Sequence, residues 1–193
     1  MRGKRLRQTI RLFLTLSVGK RADYIRKEKI FASFGEKSSI MDRVIPLYAN
    51  LIKIGNNVHI ASNVHFITHD ITHVMLNLRE KEKCAGGGYT ETVGCIQIED
   101  NVFIGSGTQI LSNVRIGKNV IVGAGALVNN DIPDNSVAAG VPARVICTLD
   151  EYLEKRRGKQ YPQEYKPFNQ EVSQEAAEFF WNEFYSSRDC LVE

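Results

Sequence analysis

The chain has 193 residues, 43% of them apolar and 24% charged, with a formal net charge of +3. That length holds one domain with a substantial core, and the composition excludes wholesale disorder. No run reaches the roughly 20 apolar residues of a membrane span, and the apolar run at residues 10–18 faintly resembles a secretion signal but is broken by Arg11 and followed by no small-residue cleavage site, so it is not expected to act as one.

Residues 1–29 hold ten Lys/Arg against two acids. Leu6, Ile10, Phe13 and Leu14 fall on one side of a helix and Arg5, Arg7 and Arg11 on the other, which predicts a basic amphipathic helix. Its expected use is packing on the body of the protein; contact with an anionic membrane surface is the second reading. Nucleic acid is not an expected partner, because the charge is confined to one segment without interleaved stacking residues.

The middle of the chain repeats every six residues. Ile98, Ile104, Ile110, Ile116, Val122 and Val128 form one series. Val102, Thr108, Val114, Val120 and Ala126 follow four residues after the first five of these, each preceded by Asn or Gly: Asn101, Gly107, Asn113, Asn119, Gly125. The pattern appears earlier in Ile54, Ile60 and Phe66, with Val58 and Val64 preceded by Asn57 and Asn63. Left-handed backbone tolerates Gly best and Asn next, so each of these positions marks a corner. Very short strands between corners describe a coil of parallel strands whose aliphatic residues stack in a narrow interior. The period leaves the handedness open.

The rhythm stops between Ile67 and Gln97, where a loop carrying Arg79, Glu80, Lys81, Glu82, Lys83 and Gly86-Gly87-Gly88 is expected to be functional. Residues 149–157 read as a short helix and 158–169 as a polar linker. Val172, Ala176, Phe180 and Phe184 lie at helical spacing and predict a docked terminal helix, in an acidic segment. The expected division is a basic helical segment at 1–33, a coil domain at 34–148 with its loop at 70–97, and a helical extension at 149–193. Cys84, Cys95, Cys147 and Cys190 contain no CxxC pair and read as reduced thiols of a cytoplasmic protein.

The segments IGNNVHIASNVHFITHD, IEDNVFIGSGTQIL, IGKNVIVGAGALV and DIPDNSVAAGVPARVI resemble the hexapeptide-repeat acyltransferases. The resemblance is greatest to the galactoside and maltose O-acetyltransferases and to those that acetylate capsule or O-antigen sugars, and it covers about residues 50–148. It implies an all-β fold, a left-handed parallel β-helix with an extended loop and flanking N- and C-terminal helices. It also implies acetyl-CoA as acyl donor, no metal, and a homotrimer with sites between subunits. The implied reaction is acetyl transfer to a hydroxyl of a sugar or polysaccharide precursor.

Such a transfer needs a base near neutral pKa, and histidine, at about 6.5 unperturbed, suits it. His69, in ITHD, matches the family's catalytic histidine. Asp70 either orients that base or caps a turn, and His73 is placed in the acceptor pocket; both are assigned to substrate binding. For the donor, Ser106 matches the position beside the thioester, Ala126 the position touching the pantetheine arm, and Arg144 an arginine at the nucleotide end. Asn129-Asn130 and Cys147 stand where the family usually has Lys and a second Arg, and Lys118 is the candidate to compensate. His59 and His65 are expected on the outer surface.

Three other readings share this coil. An N-acetyltransferase of an amino sugar nucleotide would differ only in the loop and acceptor pocket. A zinc enzyme resembling the gamma-class carbonic anhydrases needs three converging ligands, whereas six-residue spacing turns His59, His65 and His69 onto different faces. A non-catalytic trimeric scaffold would bind no CoA.

Overall fold

The computed structural model describes residues 2–80, 88–157, 162 and 171–189. The charged run from Lys81 onward, Cys84, Gly86-Gly87, nearly all of the expected linker and Cys190 lie outside the described residues. The chain forms two units, residues 1–152 and 153–193.

Every predicted corner is left-handed. Asn57, Asn63, Asn101, Asn113 and Asn119 have φ between 53° and 62°, and Gly107 and Gly125 have φ of 73° and 69°. The strands between them pair in register with the next coil. β1 (Ser33–Phe34) and β2 (Ser39–Ile40) begin the coil, one turn earlier than the repeat is legible. β3 (Ile52–Ile54), β4 (Val58–Ile60) and β5 (His65–Ile67) make the next turn. The chain then leaves the coil through β6 (His69–Asp70) and returns through β7 (Thr92–Val93).

β8 (Ile96–Ile98), β9 (Val102–Ile104) and β10 (Gln109–Leu111) form the third turn. β11 (Val114–Ile116), β12 (Val120–Val122) and β13 (Leu127–Val128) form the fourth. β14 (Ser136–Ala139) and an antiparallel β15 (Arg144–Thr148) close the end. Three faces result: β1-β3-β8-β11, then β2-β4-β9-β12-β14-β15, then β5-β10-β13. The predicted inward residues are the core, with Ile104, Ile110, Ile116, Val122 and Val128 at zero exposure. Thr108 is also fully buried; its hydroxyl donates to Gly105 O at 2.8 Å, so an inward polar group is satisfied in place.

Ahead of the coil, helices α1 (Arg2–Leu14) and α2 (Val18–Lys27) are joined by a turn. Arg21 is buried and donates to Thr15 O and Leu16 O at 3.0 and 2.8 Å, while Arg43 donates to Phe13 O at 3.1 Å. Two cations thus satisfy carbonyls at the end of α1, where the helix dipole is negative. The expected packing of the Leu6, Ile10, Phe13 and Leu14 side is corrected: these four side chains are exposed, and Gln8 and Leu12 are the buried ones. Arg5 donates to Ile45 O at 2.9 Å, so several polar contacts and one buried apolar side chain, Leu12, seat the helix.

The break at 70–97 is also not all loop. It contains helix α3 (Thr72–Arg79). Helix α4 (Leu149–Arg157) occupies the expected residues and starts from a capping box, Glu151 N donating to Thr148 Oγ1 at 3.2 Å and Thr148 N to Glu151 Oε2 at 2.8 Å. In the second unit, helix α5 (Gln174–Asp189) contains Ala176, Phe180 and Phe184, with Val172 just ahead of it. Trp181 and Tyr185 stack along it at 5.9 Å. Among the described residues no helix is long and apolar enough to cross a membrane.

Candidate active site

The excursion from the coil has a closed neck. Thr68 is fully buried and donates from its hydroxyl to Leu47 O at 3.0 Å. Its carbonyl accepts from Gly94 N at 2.8 Å, so departing and returning chain meet at the coil corner. Immediately outside, His69 pairs with Val93 and Asp70 with Thr92. Further out, Asn77 holds Tyr89 by two bonds, Nδ2 donating to Tyr89 O at 2.8 Å and Oδ1 accepting from Tyr89 N at 2.7 Å.

Asp70, just ahead of α3, bonds to the helix's first residue. Its Oδ1 accepts from Thr72 Oγ1 at 2.6 Å and from Thr72 N at 3.0 Å, and these bonds hold its carboxyl below the usual aspartate range. No hydrogen bond joins it to His69 Nδ1, although the charges of His73 and His69 also lower its pKa. Nδ1 of His69 and Nδ1 of His73 are both buried and have no hydrogen-bond partner among the described residues. His69, Asp70 and Thr72 line an open hollow of about 770 Å³ with Ile71, Val74, Met75 and Leu78 of the α3 segment. Those four apolar side chains are exposed.

Two residues that no period in the sequence marks complete this corner. Tyr48 lies with its ring 5.2 Å from that of His69 at 85°. Its hydroxyl donates to both carboxylate oxygens of Glu91, at 3.0 and 3.2 Å, a bond that raises the phenol pKa.

The predicted donor residues gather on a different edge. Ser106 is exposed at the corner between β9 and β10, and its carbonyl accepts from Gly125 N at 2.8 Å. Ala126 is buried one turn further along the same edge. Arg144, exposed at the start of β15, follows Ala143, whose N donates to Leu127 O at 2.8 Å. A methyl group built on Gly125 would meet nothing within 4 Å. This edge is a run of small residues, open to solvent, with a guanidinium at its end, and it fits a long thin donor carrying phosphates.

Lys118 is not brought to that edge. It stands at the corner between β11 and β12, where its N donates to Asp134 Oδ1 at 3.0 Å. Asn130 donates to Asn129 at 2.9 Å, and Cys95 and Cys147 are free thiols. His59 and His65 are exposed on separate faces, as expected. His59 Nδ1 lies 2.8 Å from Ser39 Oγ. Among the described residues no three His, Cys, Asp or Glu side chains converge.

The family described as "Bacterial transferase hexapeptide (six repeats)" matches residues 95–130. The chain is 41% identical over 123 residues to the galactoside O-acetyltransferase of Lactococcus lactis, a match covering 60% of this chain and 55% of the relative. It thus spans about half the length of that curated relative. It is 49% identical over 77 residues to a 2,3,4,5-tetrahydropyridine-2,6-dicarboxylate N-acetyltransferase of Halalkalibacterium halodurans, covering 39% of this chain and 31% of the relative. Among solved structures, a galactoside acetyltransferase in complex with coenzyme A superposes with a TM-score of 0.53 at 30% identity, covering 86% of this chain and 89% of that one. A coil of very short strands repeating every six residues is the architecture this chain shares with that structure. The chain belongs to the hexapeptide-repeat transferase family, and the likeness in fold implies the left-handed winding.

Proposed function

We propose that this protein transfers an acetyl group from acetyl-CoA to a hydroxyl of a sugar or polysaccharide precursor, with His69 as general base. It is an acetyltransferase of the hexapeptide family, and acetyl-CoA is its donor. The observation that carries the role of His69 is its place at the neck of the excursion, paired to Val93 and facing an open hollow beside the coil. In this reading the imidazole takes the acceptor hydroxyl's proton as the oxygen attacks the thioester carbonyl, and returns a proton to the departing thiolate. Ser106 and Ala126 line the arm of the donor and Arg144 meets its phosphates. His73, in the first turn of α3, and Asp70, through its bonds to Thr72 at the start of that helix, shape the acceptor side.

One face of the coil separates the corner of His69 from the edge of Ser106 and Ala126. That separation favours a homotrimer in which the base of one subunit meets donor held along its neighbour, and Lys118 would reach the donor only in such an assembly. The same reading divides the chain at 1–33, 34–148 and 149–193 and places it in the cytoplasm. Membrane-surface contact rests on the exposed apolar side of α1 and its flanking Arg7 and Arg11, and co-sedimentation with anionic vesicles tests it. N-acetyl transfer is the second reading, favoured by the likeness to the N-acetyltransferase.

Calorimetric titration with acetyl-CoA is expected to give saturable binding near one per subunit. Thiol release is expected to fall by a hundredfold or more, on the scale of a lost general base, in His69→Ala. No binding up to millimolar acetyl-CoA would sink the donor reading; full turnover by His69→Ala would sink the base. Amine and hydroxyl acceptors compared side by side decide between O- and N-transfer.

A further inference from the structure

We infer that Tyr48 is the residue that positions His69, and that Glu91 acts by holding Tyr48; the inference rests on His69 being the base. A histidine ring turns about two torsions, and a base must point its lone pair at the proton it takes. In many sites a carboxylate fixes the ring by accepting from its other nitrogen. Here Asp70 is engaged by Thr72, and Nδ1 of His69 has no partner among the described residues. What bounds the ring is the edge-to-face contact with Tyr48 at 5.2 Å and 85°.

Tyr48 is itself held at its backbone and at its phenol. Its backbone sits at φ 50°, ψ 40°, a left-handed conformation that an aromatic residue adopts only when its surroundings hold it there. Those surroundings are explicit. Leu51 N donates to Tyr48 O at 2.8 Å, and Thr68, next to His69, donates to Leu47 O at 3.0 Å. At the other end the phenol is bound by Glu91, two residues before Val93, the β-partner of His69. Segments 47–48, 68–69 and 91–93 thus close a ring of contacts around one imidazole. The bond to a carboxylate raises the Tyr48 pKa, so the phenol keeps its proton at neutral pH and contributes position, with no proton transfer of its own.

The full-length chain, labelled at its four histidines, provides a test that needs no acceptor. In the NMR spectrum the ring protons of His69, assigned by their loss in His69→Ala, carry the ring-current shift of Tyr48. That shift is expected to persist in Tyr48→Phe and to vanish in Tyr48→Leu, while acetyl-CoA affinity stays within about twofold. In turnover, read as thiol release to water or to methyl β-galactopyranoside, Tyr48→Leu is expected to lower kcat on the order of tenfold with little change in KM for acetyl-CoA. Tyr48→Phe keeps the ring but loses the bond to Glu91, so it should recover only part of the loss and match Glu91→Ala. Glu91→Ala should lower kcat alone but add nothing to Tyr48→Phe or Tyr48→Leu, and Tyr48→Leu should add nothing to His69→Ala. An unchanged His69 spectrum in Tyr48→Leu, or independent losses in the double variants, overturns the inference. Full activity of His69→Ala overturns the base assignment instead, and the spectrum then judges the contact by itself.

Discussion

Asn101 donates its side-chain amide to Asn119 Oδ1 at 3.0 Å, and both residues sit in left-handed backbone at φ 59° and 56°. The relationship continues in both directions, from Asn57 Nδ2 to Asn101 Oδ1 at 2.9 Å and from Asn119 Nδ2 to Asn135 Oδ1 at 2.8 Å. One residue type therefore meets two needs at this corner: it tolerates the bend, and its amide ties each turn to the next. Asn101→Ala loses two exposed hydrogen bonds and the short polar side chain that lets asparagine tolerate left-handed backbone, so a loss of about 2–3 kcal/mol is expected. Asn101→Gly loses only the bonds and should cost about half as much. Urea unfolding of both variants checks the order, and an alanine no worse than the glycine would show that the bend does not select asparagine here.

Two glycines on consecutive turns separate stability from donor binding. A β-carbon on Gly105 would lie 2.4 Å from Ala124 N and 2.7 Å from Ala124 Cα, so adjacent turns would have to part. Gly105→Ala is expected to cost about 1–3 kcal/mol, the scale of overpacking. Gly125 has φ 69° but open space around the built β-carbon, so Gly125→Ala should cost only about 1 kcal/mol of backbone strain. Its methyl group would project into the proposed donor edge, and a several-fold weaker acetyl-CoA affinity is expected there, against none beyond the stability loss for Gly105→Ala. Melting temperature and calorimetry on the same two proteins decide the crossed outcome.

The coil was legible because its two determinants are local. Left-handed corners favour Asn or Gly, and a narrow interior selects Ile and Val every sixth residue, so the seven corners of the repeat and the inward series could be located without tertiary information, whereas the left-handed Lys37 and Asn135 lie outside the repeat as read. The misreadings occur where a period admits two answers. In α1 the apolar stripe through Leu6, Ile10 and Phe13 identifies a helix face but not what it meets; the seat is instead Leu12, Gln8 and the Arg5–Ile45 bond. In α3 the 3–4 spacing of Ile71, Val74, Met75 and Leu78 was present, yet a break in the six-residue rhythm reads first as loop. At the candidate site His69, Asp70 and the donor edge follow motifs. Tyr48 and Glu91 meet only because the chain leaves and re-enters at one corner, a relation between residues 43 positions apart that no local pattern encodes.

Asp70 gives helix α3 a pH dependence of definite sign. The Thr72 hydroxyl and amide both donate to the carboxylate and depress its pKa. A depressed carboxyl adds stability above its unfolded pKa and loses it as pH falls through the folded value. The start of α3 is therefore expected to stay ordered through neutral and mildly acidic pH and to fray only below the usual aspartate range. Hydrogen exchange at the amides of Thr72, His73 and Val74 measures it. Asp70→Asn keeps a capping oxygen but no titration, so its exchange should lose the acid step; an acid step of the same size in Asp70→Asn would assign the effect elsewhere.

Arg144 is exposed, its Nη1 donates only to Ala143 O at 2.8 Å, and no ion pair holds it among the described residues. A guanidinium left uncommitted at the end of a small-residue edge is suited to phosphate, through charge-assisted bonds worth about 1.5–3 kcal/mol each. Cys147 is a free thiol and Asn130 is bonded to Asn129, so neither adds a cation beside Arg144, which should carry a large share of donor affinity. Arg144→Ala is expected to raise KM for acetyl-CoA at least tenfold, the equivalent of about 1.4 kcal/mol, with kcat nearly unchanged. Arg144→Lys should recover only part, since a point charge does not reproduce the planar fork. S-acetylpantetheine, which has the thioester and arm but no nucleotide, supplies the control: it should be a poor donor for the wild type and no poorer for Arg144→Ala. Equal losses with both donors would place Arg144 in the stability of the β14–β15 closure and leave the phosphates to another group.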